Sequence, residues 1–191
     1  MYKIRLHSRG GQGGKTAAQL IAEAAFMEGK EVQAFSLYGA ERRGAPVASF
    51  VRIDTKPILE RGYIHDPNYF IVIDESLLEN RDEIGLNEGL NYGDIFLVNT
   101  KKSPKQIDVP RGVTVYTIDA TGIAMKTMGR NVSNTVMLGA FVKISKIVKL
   151  ESLEKAIYSH LKGKYPEWVA KNLSAVRLAH SELDVKSGVR S

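Results

Sequence analysis

The start of the chain constrains the fold more than any other feature, because it combines a strand, a glycine-rich turn and a helix. Residues 2–8 (YKIRLHS) alternate apolar and polar side chains with the period of a β-strand. The turn RGGQGGKT follows. In the next segment, AAQLIAEAAFMEG, apolar residues recur at helical spacing until Gly29, which favours a helix end. This order is typical of nucleotide-binding α/β folds, so the sequence predicts an α/β protein.

Short apolar runs predict the remaining strands. Residues 32–37 and 47–53 are predicted as strands, and 56–60 as a further short one. Continuous apolar runs typical of buried parallel strands follow at 69–73, 95–98 and 113–118. They lead into Asp74, Asn99 and Asp119, at the strand ends where open α/β sheets bind ligands. A polar residue there is just as often a helix N-cap, which is the interpretation we favour for Asp74.

The last third of the chain is predicted to be helical. The helical segments are 121–128, 135–147, 150–161 and 167–183, punctuated by Gly129, Gly163 and Pro166. We expect residues 1–184 to form a single domain. Residues 185–191 contain few apolar side chains and are expected to fray.

The chain of 191 residues has no cysteine, which excludes disulfides, zinc–thiolate sites, iron–sulfur clusters held by thiolates and thiol nucleophiles. If the protein serves redox chemistry, another chain must carry the electrons. No apolar run approaches the ~18 residues of a membrane span, and residues 1–8 do not resemble a signal peptide. We therefore expect a cytoplasmic protein with no membrane partner. The four histidines lack metal-ligand spacing, and we predict neither a metal site nor a catalytic residue in this chain.

The formal net charge of +6 is concentrated near the end of the chain. Within residues 126–191, basic side chains outnumber acidic ones 12 to 5. They are spaced along helical sequence, with no basic run and no interleaved aromatic residues. This pattern favours a solvated or partner-docking helix face over nucleic-acid binding.

The glycine-rich turn comes close to two phosphate-binding motifs and completes neither. A Walker A loop needs glycine at position 9, where Arg9 stands. The dinucleotide motif can begin at Gly11-Gln12-Gly13, but its third glycine position is Thr16, and no acid ends the second strand.

The turn still has the physical properties of an anion site. Gly10, Gly11, Gly13 and Gly14 allow backbone N–H groups to converge at a helix N-terminus, and Arg9 and Lys15 add positive charge. The ligand that this pattern predicts is phosphate. The alternative is a tight turn that only lets strand and helix pack closely.

A second candidate loop, residues 38–47 (YGAERRGAPV), follows the second strand. Its adjacent Arg42 and Arg43 are flanked by glycine and proline, which suits a cationic loop that binds phosphates or carboxylates. In a doubly wound sheet it can emerge at the same edge as the glycine turn. The alternative is a surface loop in which Glu41 neutralises one arginine.

Together these segments resemble a known family. RGGQGG, YGAERRGAPV, IDE (residues 73–75), VNT (98–100) and NTVMLGA (134–140) occur in the order and spacing of the gamma subunit of 2-oxoacid:ferredoxin oxidoreductases, most of all the pyruvate synthase type. The resemblance runs from Lys3 to about Leu183. It implies a three-layer α/β/α domain with a mixed, mostly parallel Rossmann-like sheet and a helical C-terminal part.

The resemblance also implies a reaction, cofactors and partners. The complex would oxidise a 2-oxoacid with coenzyme A (CoA) to acyl-CoA and CO2 and pass electrons to ferredoxin. Alpha, beta and delta subunits would be the partners, with thiamine diphosphate and [4Fe–4S] clusters held by them and none by this chain. Pyruvate is favoured as substrate, with 2-oxoisovalerate and 2-oxoglutarate enzymes as alternatives.

Within that family, this chain is the candidate for CoA binding and assembly. The hypothesis places CoA phosphates on the backbone of residues 10–14 with Ser8, Arg9, Gln12 and Lys15, and adds bidentate contacts from Arg42 and Arg43. Asn134 is expected to cap a helix or to face the active site of a neighbouring subunit. Subunit docking is a competing use of the loops, and a free-standing nucleotide- or phosphometabolite-binding regulatory domain is the alternative for the whole chain.

Overall fold

A computed structural model describes residues 1–37, 44–82 and 84–190. Its strands are β1 (Tyr2–Arg9), β2 (Glu31–Leu37), β3 (Pro46–Asp54), β4 (Tyr69–Val72), β5 (Ile95–Asn99), β6 (Thr114–Ile118) and β7 (Val189–Arg190). They form one mixed sheet in the order β2-β3-β1-β4-β5-β6-β7. Strands β1, β4, β5 and β6 are parallel, whereas β2, β3 and β1 pair antiparallel, as do β6 and β7.

The described residues also form five α-helices. They are α1 (Gly14–Met27), α2 (Ala120–Met128), α3 (Ser133–Ser145), α4 (Leu150–Leu161) and α5 (Pro166–Glu182). As predicted, Gly129 ends α2 in the left-handed conformation, and Pro166 occupies the first turn of α5, where its missing N–H costs nothing. The α/β class, the mixed sheet and the helical C-terminal part are therefore confirmed.

The two faces of the sheet are covered differently. Successive residues of a strand point to opposite faces, so Ile71 in β4 packs with the α-helices while Phe70 and Val72 face the other way. All five α-helices contribute to the core on the Ile71 side. The other side is covered by short segments, including 3₁₀ turns at Glu75–Leu78 and Pro104–Gln106. The apolar residues that seal this side are Leu77, Leu78, Leu86, Leu90 and Ile107.

Two local predictions differ from the structure. Residues 56–60 form no strand. They run across the sheet instead, and the Glu60 carboxylate pairs with Lys3 at 3.3 Å and Arg52 at 3.5 Å. The last residues do not fray as expected, because Val189 and Arg190 pair with β6. Pairing of backbone groups at a sheet edge needs little apolar content, so composition does not reveal it.

None of the described helices is long and apolar enough to cross a membrane.

Candidate functional site

The carboxyl ends of the four parallel strands meet at one edge of the sheet and form the candidate site. A cleft of about 640 Å³ lies there. Gln12 from the glycine turn lines it, together with residues that follow β4, β5 and β6: Asp74, Glu75, Asn99, Thr100, Lys101, Lys102, Asp119, Thr121 and Gly122. The structure thus brings the glycine turn and the polar strand ends together. Open α/β sheets bind ligands in this position.

The glycine turn delivers the chain directly into α1. Gly11 (φ 91°) and Gly13 (φ 80°) are left-handed, a conformation that side chains with a Cβ rarely adopt. Gly13 is the N-cap of α1 and has no side chain to bond the first-turn N–H groups. Those N–H groups also lack intrahelical acceptors, and the helix dipole adds positive potential. The start of α1 is therefore suited to an anion, and Lys15 in its first turn is exposed.

Close packing explains why positions 13 and 14 of the turn are glycine. A Cβ at Gly13 would lie 2.4 Å from Nδ2 of Asn134, and a Cβ at Gly14 would lie 2.3 Å from Oγ of Ser8. Ser8 is only 1% exposed. Its hydroxyl thus lies beneath the start of α1, where it supports the turn from below.

Arg9 and Gln12 are engaged by the protein itself. Arg9 donates from Nε to Oγ of Ser76 at 2.8 Å and from Nη1 to the carbonyl of Gly44 at 3.1 Å. Gln12 accepts from the backbone N–H of Arg9 at 2.8 Å and donates to the carboxylate of Asp74. These hydrogen bonds hold the glycine turn in its conformation. They also occupy several of the N–H donors of Arg9 and Gln12 that the sequence analysis proposed for phosphate binding.

Asp74 joins these loops and is an N-cap, as predicted. Its Oδ1 accepts from the backbone N–H of Ser76 at 2.9 Å and from the Ser76 hydroxyl at 2.6 Å. Burial favours a higher pKa for this carboxyl, but the hydrogen bonds from Ser76 and Gln12 and the charge of Arg9 outweigh it, and the pKa is lowered. Asp74 is therefore a structural anion in the wall of the cleft.

The opposite wall is tied together by Asn99. Its Nδ2 donates to the carbonyl of Ile73 at 2.8 Å and to Oγ1 of Thr121 at 2.9 Å, while its Oδ1 accepts from the Thr121 N–H at 3.1 Å. Asp119 caps α2 by accepting from the Gly122 N–H at 2.7 Å. The network makes the ends of β4, β5 and β6 one rigid rim.

Residues Thr100, Lys101 and Lys102 belong to the site but were absent from the predicted set. Lys101 and Lys102 are exposed, and Nζ of Lys101 lies 3.9 Å from the Asp119 carboxylate. Thr100 donates from its hydroxyl to Glu75. Their signal in the sequence is their position, since they are the first three residues after the strand that ends at Asn99.

Arg42 and Arg43 lie outside the described residues. The described residues that follow them reach the glycine turn, since Gly10 donates to the carbonyl of Ala45 at 2.8 Å and Gly44 donates to the carbonyl of Gly10 at 3.1 Å. The second candidate loop therefore ends at the edge of the sheet where α1 begins.

One of the two expectations for Asn134, that it caps α3, is wrong. The N-cap is Val132, and Asn134 lies within the first turn, 6% exposed. Its Nδ2 donates to the carbonyl of Gly13 at 3.2 Å, so it braces the glycine turn. The next residue, Thr135, donates from its hydroxyl to Oδ1 of Asn172 in α5 at 2.8 Å. Within the described ranges, no three histidine, aspartate or glutamate side chains gather into a metal site.

Comparison with known proteins gives one consistent family. The family model described as pyruvate ferredoxin/flavodoxin oxidoreductase matches residues 3–182. The chain is 47% identical to the pyruvate synthase subunit PorC of Methanocaldococcus jannaschii, covering 98% of this chain and 100% of that one. It is 43% identical to the common gamma subunit of the pyruvate/ketoisovalerate oxidoreductases of Pyrococcus furiosus, covering 97% and 98%.

A solved structure agrees with these sequence matches. The crystal structure of the pyruvate oxidoreductase subunit PORC of Thermotoga maritima superimposes with a TM-score of 0.83 at 38% identity. The alignment covers 96% of this chain and 97% of that one.

Proposed function

Because the chain belongs to the pyruvate ferredoxin/flavodoxin oxidoreductase family and is a gamma-type subunit of such an enzyme, we propose that it binds the phosphate groups of CoA. The proposed site is the start of α1 with the cleft beside it. The observation that carries the proposal is the N-terminus of α1, which begins at a glycine without a capping side chain, next to a cleft at the carboxyl ends of parallel strands.

The reaction proposed for the assembled enzyme consumes pyruvate and CoA. The carboxylate of pyruvate leaves as CO2, and the remaining acetyl group forms a thioester with the CoA thiol. Two electrons go to two oxidised ferredoxins, and one proton is released. The relatives' names include pyruvate synthase and pyruvate/ketoisovalerate oxidoreductase, which supports pyruvate and, as the second choice, 2-oxoisovalerate.

The work is divided between chains in this proposal. Alpha, beta and delta subunits supply thiamine diphosphate and the [4Fe–4S] clusters. The absence of cysteine from this chain supports that division, because thiolates are the usual cluster ligands. The gamma chain holds CoA so that its thiol can reach the acyl group.

The charges around the cleft support binding of an anion. The three carboxylates of the cleft accept hydrogen bonds within the protein, Asp74 and Asp119 from their own loops and Glu75 from Thr100, so their negative charge is partly offset. Lys15, Lys101 and Lys102 are exposed cations near the start of α1 and the rim. Backbone N–H groups with nearby lysines are a common arrangement for phosphate.

Substitution of the cations in the assembled enzyme tests the proposal. Changing Lys15, Arg42 or Arg43 to alanine should raise the KM for CoA by about tenfold or more, since a charge-assisted contact contributes about 1.5–3 kcal/mol. CO2 release from pyruvate before CoA is added should not change. Lys155→Ala, an exposed lysine of α4 away from the cleft, is the matched control.

Two results would count against CoA binding at this site. An unchanged KM in all three variants would remove the assignment. Failure of the variants to assemble with the larger subunits, with Lys155→Ala assembling normally, would show that the loops serve subunit docking instead.

A further inference from the structure

A second cavity lies between the helices, next to the start of α1. It measures about 270 Å³, and residues of α1, α3, α4, α5 and the α2–α3 connection line it. Its apolar walls are formed by Leu20, Val132, Ile157, Leu161 and Trp168. Val132, Leu161 and Trp168 are only partly buried, so the cavity is open to solvent. Exposed apolar surface framed by polar residues is typical of interaction sites.

Most polar side chains of the cavity wall are unavailable to an occupant. Thr135 donates from its hydroxyl to Oδ1 of Asn172 at 2.8 Å, and Asn172 donates from Nδ2 to the carbonyl of Trp168 at 2.9 Å. Oδ1 of Asn134 has almost no accessible surface, so it cannot bond an occupant either. A polar small molecule would therefore find few free partners at the floor of the cavity, whereas an apolar side chain needs none.

The mouth of the cavity carries a net positive charge. Arg130 lies 4.6 Å from the centre of the Trp168 ring and Lys171 lies 5.0 Å from the same centre, and both cations are exposed. Neither forms an ion pair with a described residue. A cation over an aromatic ring keeps its charge, so both remain able to pair with a carboxylate. None of the described residues that line the cavity carries a carboxylate, and Glu167 of α5 offsets only one of the two charges.

An exposed aromatic residue stands beside the opening. Tyr165, in the connection between α4 and α5, lines the cavity and is 54% exposed. The exposed Lys164 precedes it and adds a further cation. Tyrosine is enriched in protein–protein interfaces, because its ring covers apolar surface while its hydroxyl can stay in water. The surface around the cavity thus combines an apolar hole, an aromatic ring and cations.

From these observations we propose that the cavity is the docking site for an acidic segment of another subunit of the enzyme. A large apolar side chain of that segment fills the cavity, and carboxylates beside it pair with Arg130 and Lys171. The cavity of about 270 Å³ has room for one such side chain but not for a helix. Because this chain is a gamma-type subunit, it must form an interface with at least one other subunit. An apolar anchor in a pocket, with polar and charged groups at the rim, is the usual arrangement of a protein–protein contact.

Charge argues against a second copy of this chain as the occupant. A two-fold contact brings the same surface of each copy together, so the cations of one mouth would face those of the other. Residues 126–191, which contain α3, α4 and α5, hold 12 basic and 5 acidic side chains. The acidic counterpart therefore comes from a different chain.

Photo-crosslinking in the assembled enzyme tests the surface directly. Tyr165→p-benzoylphenylalanine places a photoreactive ring beside the opening at an exposed position, where it should not disturb folding. Irradiation should link this chain to one other subunit, at a peptide that mass spectrometry shows to carry aspartate or glutamate beside a large apolar residue. No crosslink, a link to a second copy of this chain, or a link to a segment without carboxylates would each overturn the inference.

Charge reversal measures the contribution of the cations. Arg130→Glu and Lys171→Glu should each weaken binding to the other subunits by about tenfold or more, with the larger loss at low salt. The measurement is the amount of this chain that copurifies with a tagged partner subunit over a salt series. Lys155→Glu makes the same charge change at an exposed position of α4 outside the cavity and is the matched control. Circular dichroism of the purified variants checks that they fold.

Rescue identifies the pair of charges. Changing the crosslinked carboxylate of the partner to arginine should restore the binding of Arg130→Glu or of Lys171→Glu. Equal binding by the wild type and both reversals would overturn the inference, as would a loss of the same size in Lys155→Glu.

The docking site and the phosphate site can fail separately. If Arg130→Glu weakens assembly while the Lys15, Arg42 and Arg43 variants leave the KM for CoA unchanged, the docking site stands and the phosphate site falls. If those variants raise the KM while Arg130→Glu and Lys171→Glu assemble normally, the phosphate site stands and the docking site falls.

Discussion

Asn134 in α3 donates from Nδ2 to the backbone carbonyl of Gly13, across 121 positions of the chain. The contact is so close that a Cβ at Gly13 would lie 2.4 Å from the same nitrogen. The start of α3 thus sets the conformation of the glycine turn, and through it the position of α1.

Gly13→Ala should lower the free energy of unfolding by roughly 2–4 kcal/mol, from left-handed backbone strain and the clash with Asn134. Gly129→Ala is the control, because Gly129 is also left-handed (φ 68°) but has open space around its Cβ, so only about 1–2 kcal/mol is expected. Denaturant unfolding of the purified chain measures both. In Gly13→Ala/Asn134→Ala the cost should be less than the sum of the single changes; strict additivity would contradict the contact.

Arg9 should act through its geometry more than through its charge. It bridges Ser76 and the Gly44 carbonyl from two different nitrogens, which a lysine cannot reproduce. Arg9→Lys and Arg9→Met should therefore raise the KM for CoA by similar factors and each destabilise the chain by about 1–2 kcal/mol. The measurement is steady-state kinetics of the assembled enzyme. A near-normal KM in Arg9→Lys alone would show instead that Arg9 contributes charge to the ligand.

His7 should remain neutral in the folded protein at any ordinary pH. Burial, together with the charge of Arg5, lowers its pKa from 6.5 to about 3, and its Nε2 has no partner among the described residues. At a pH between 3 and 6.5, His7 binds a proton in the unfolded chain but not in the folded chain. The free energy of unfolding therefore falls as the pH falls below about 6.5. The slope contributed by His7 approaches about 1.4 kcal/mol per pH unit.

The neutral variant His7→Gln removes this proton-binding site, so it should flatten the dependence of the unfolding free energy on pH between 5 and 6. The NMR signals of the His7 ring in the native protein should not shift over the same range. A ring that titrates near 6.5 would contradict the buried, neutral state.

Arg52 should matter far more for stability than an exposed arginine of the same chain. It is 2% exposed and donates from Nη2 to the carbonyls of Gly62 at 3.0 Å and Tyr63 at 3.3 Å, which fastens that segment to β3. Arg52→Met should cost about 2–4 kcal/mol, because a buried, charged side chain loses its bonds to two carbonyls and its ion pair with Glu60. It should also speed proteolysis of residues 55–66. Arg177→Met, which removes an exposed ion pair with Glu154, should change the unfolding midpoint much less.

Several elements were predictable because their signals are local. The bounds of α4 match the prediction at both ends, since an amphipathic helix shows its apolar period over its whole length. The apolar runs that became β4, β5 and β6 were also located, because a strand buried on both faces has no polar alternation. The N-cap role of Asp74 depends only on the residues that follow it.

Other features depend on partners far away in the chain. Asn134 looks like a capping residue until α3 is placed against the glycine turn, and Arg9 looks like a phosphate ligand until Ser76 and Gly44 are beside it. Residues 56–60 contain a short apolar run like that of a strand, but the structure holds this segment through side chains instead, with Glu60 paired to Lys3 of β1 and Arg52 of β3.

By itself, the sequence determined the class of the fold, the glycine turn at the start of α1 and the lack of any thiolate chemistry, because backbone preference, apolar period and residue type act within a few positions. Only the tertiary structure decided which hydrogen-bond donors remain available at the glycine turn. Likewise, only the packing of four helices created the cavity that Asn134 and Trp168 line. Each donor or acceptor bonds to the groups that the fold places within about 3 Å of it. The groups that remain free to bind a ligand therefore depend on residues distant in the sequence.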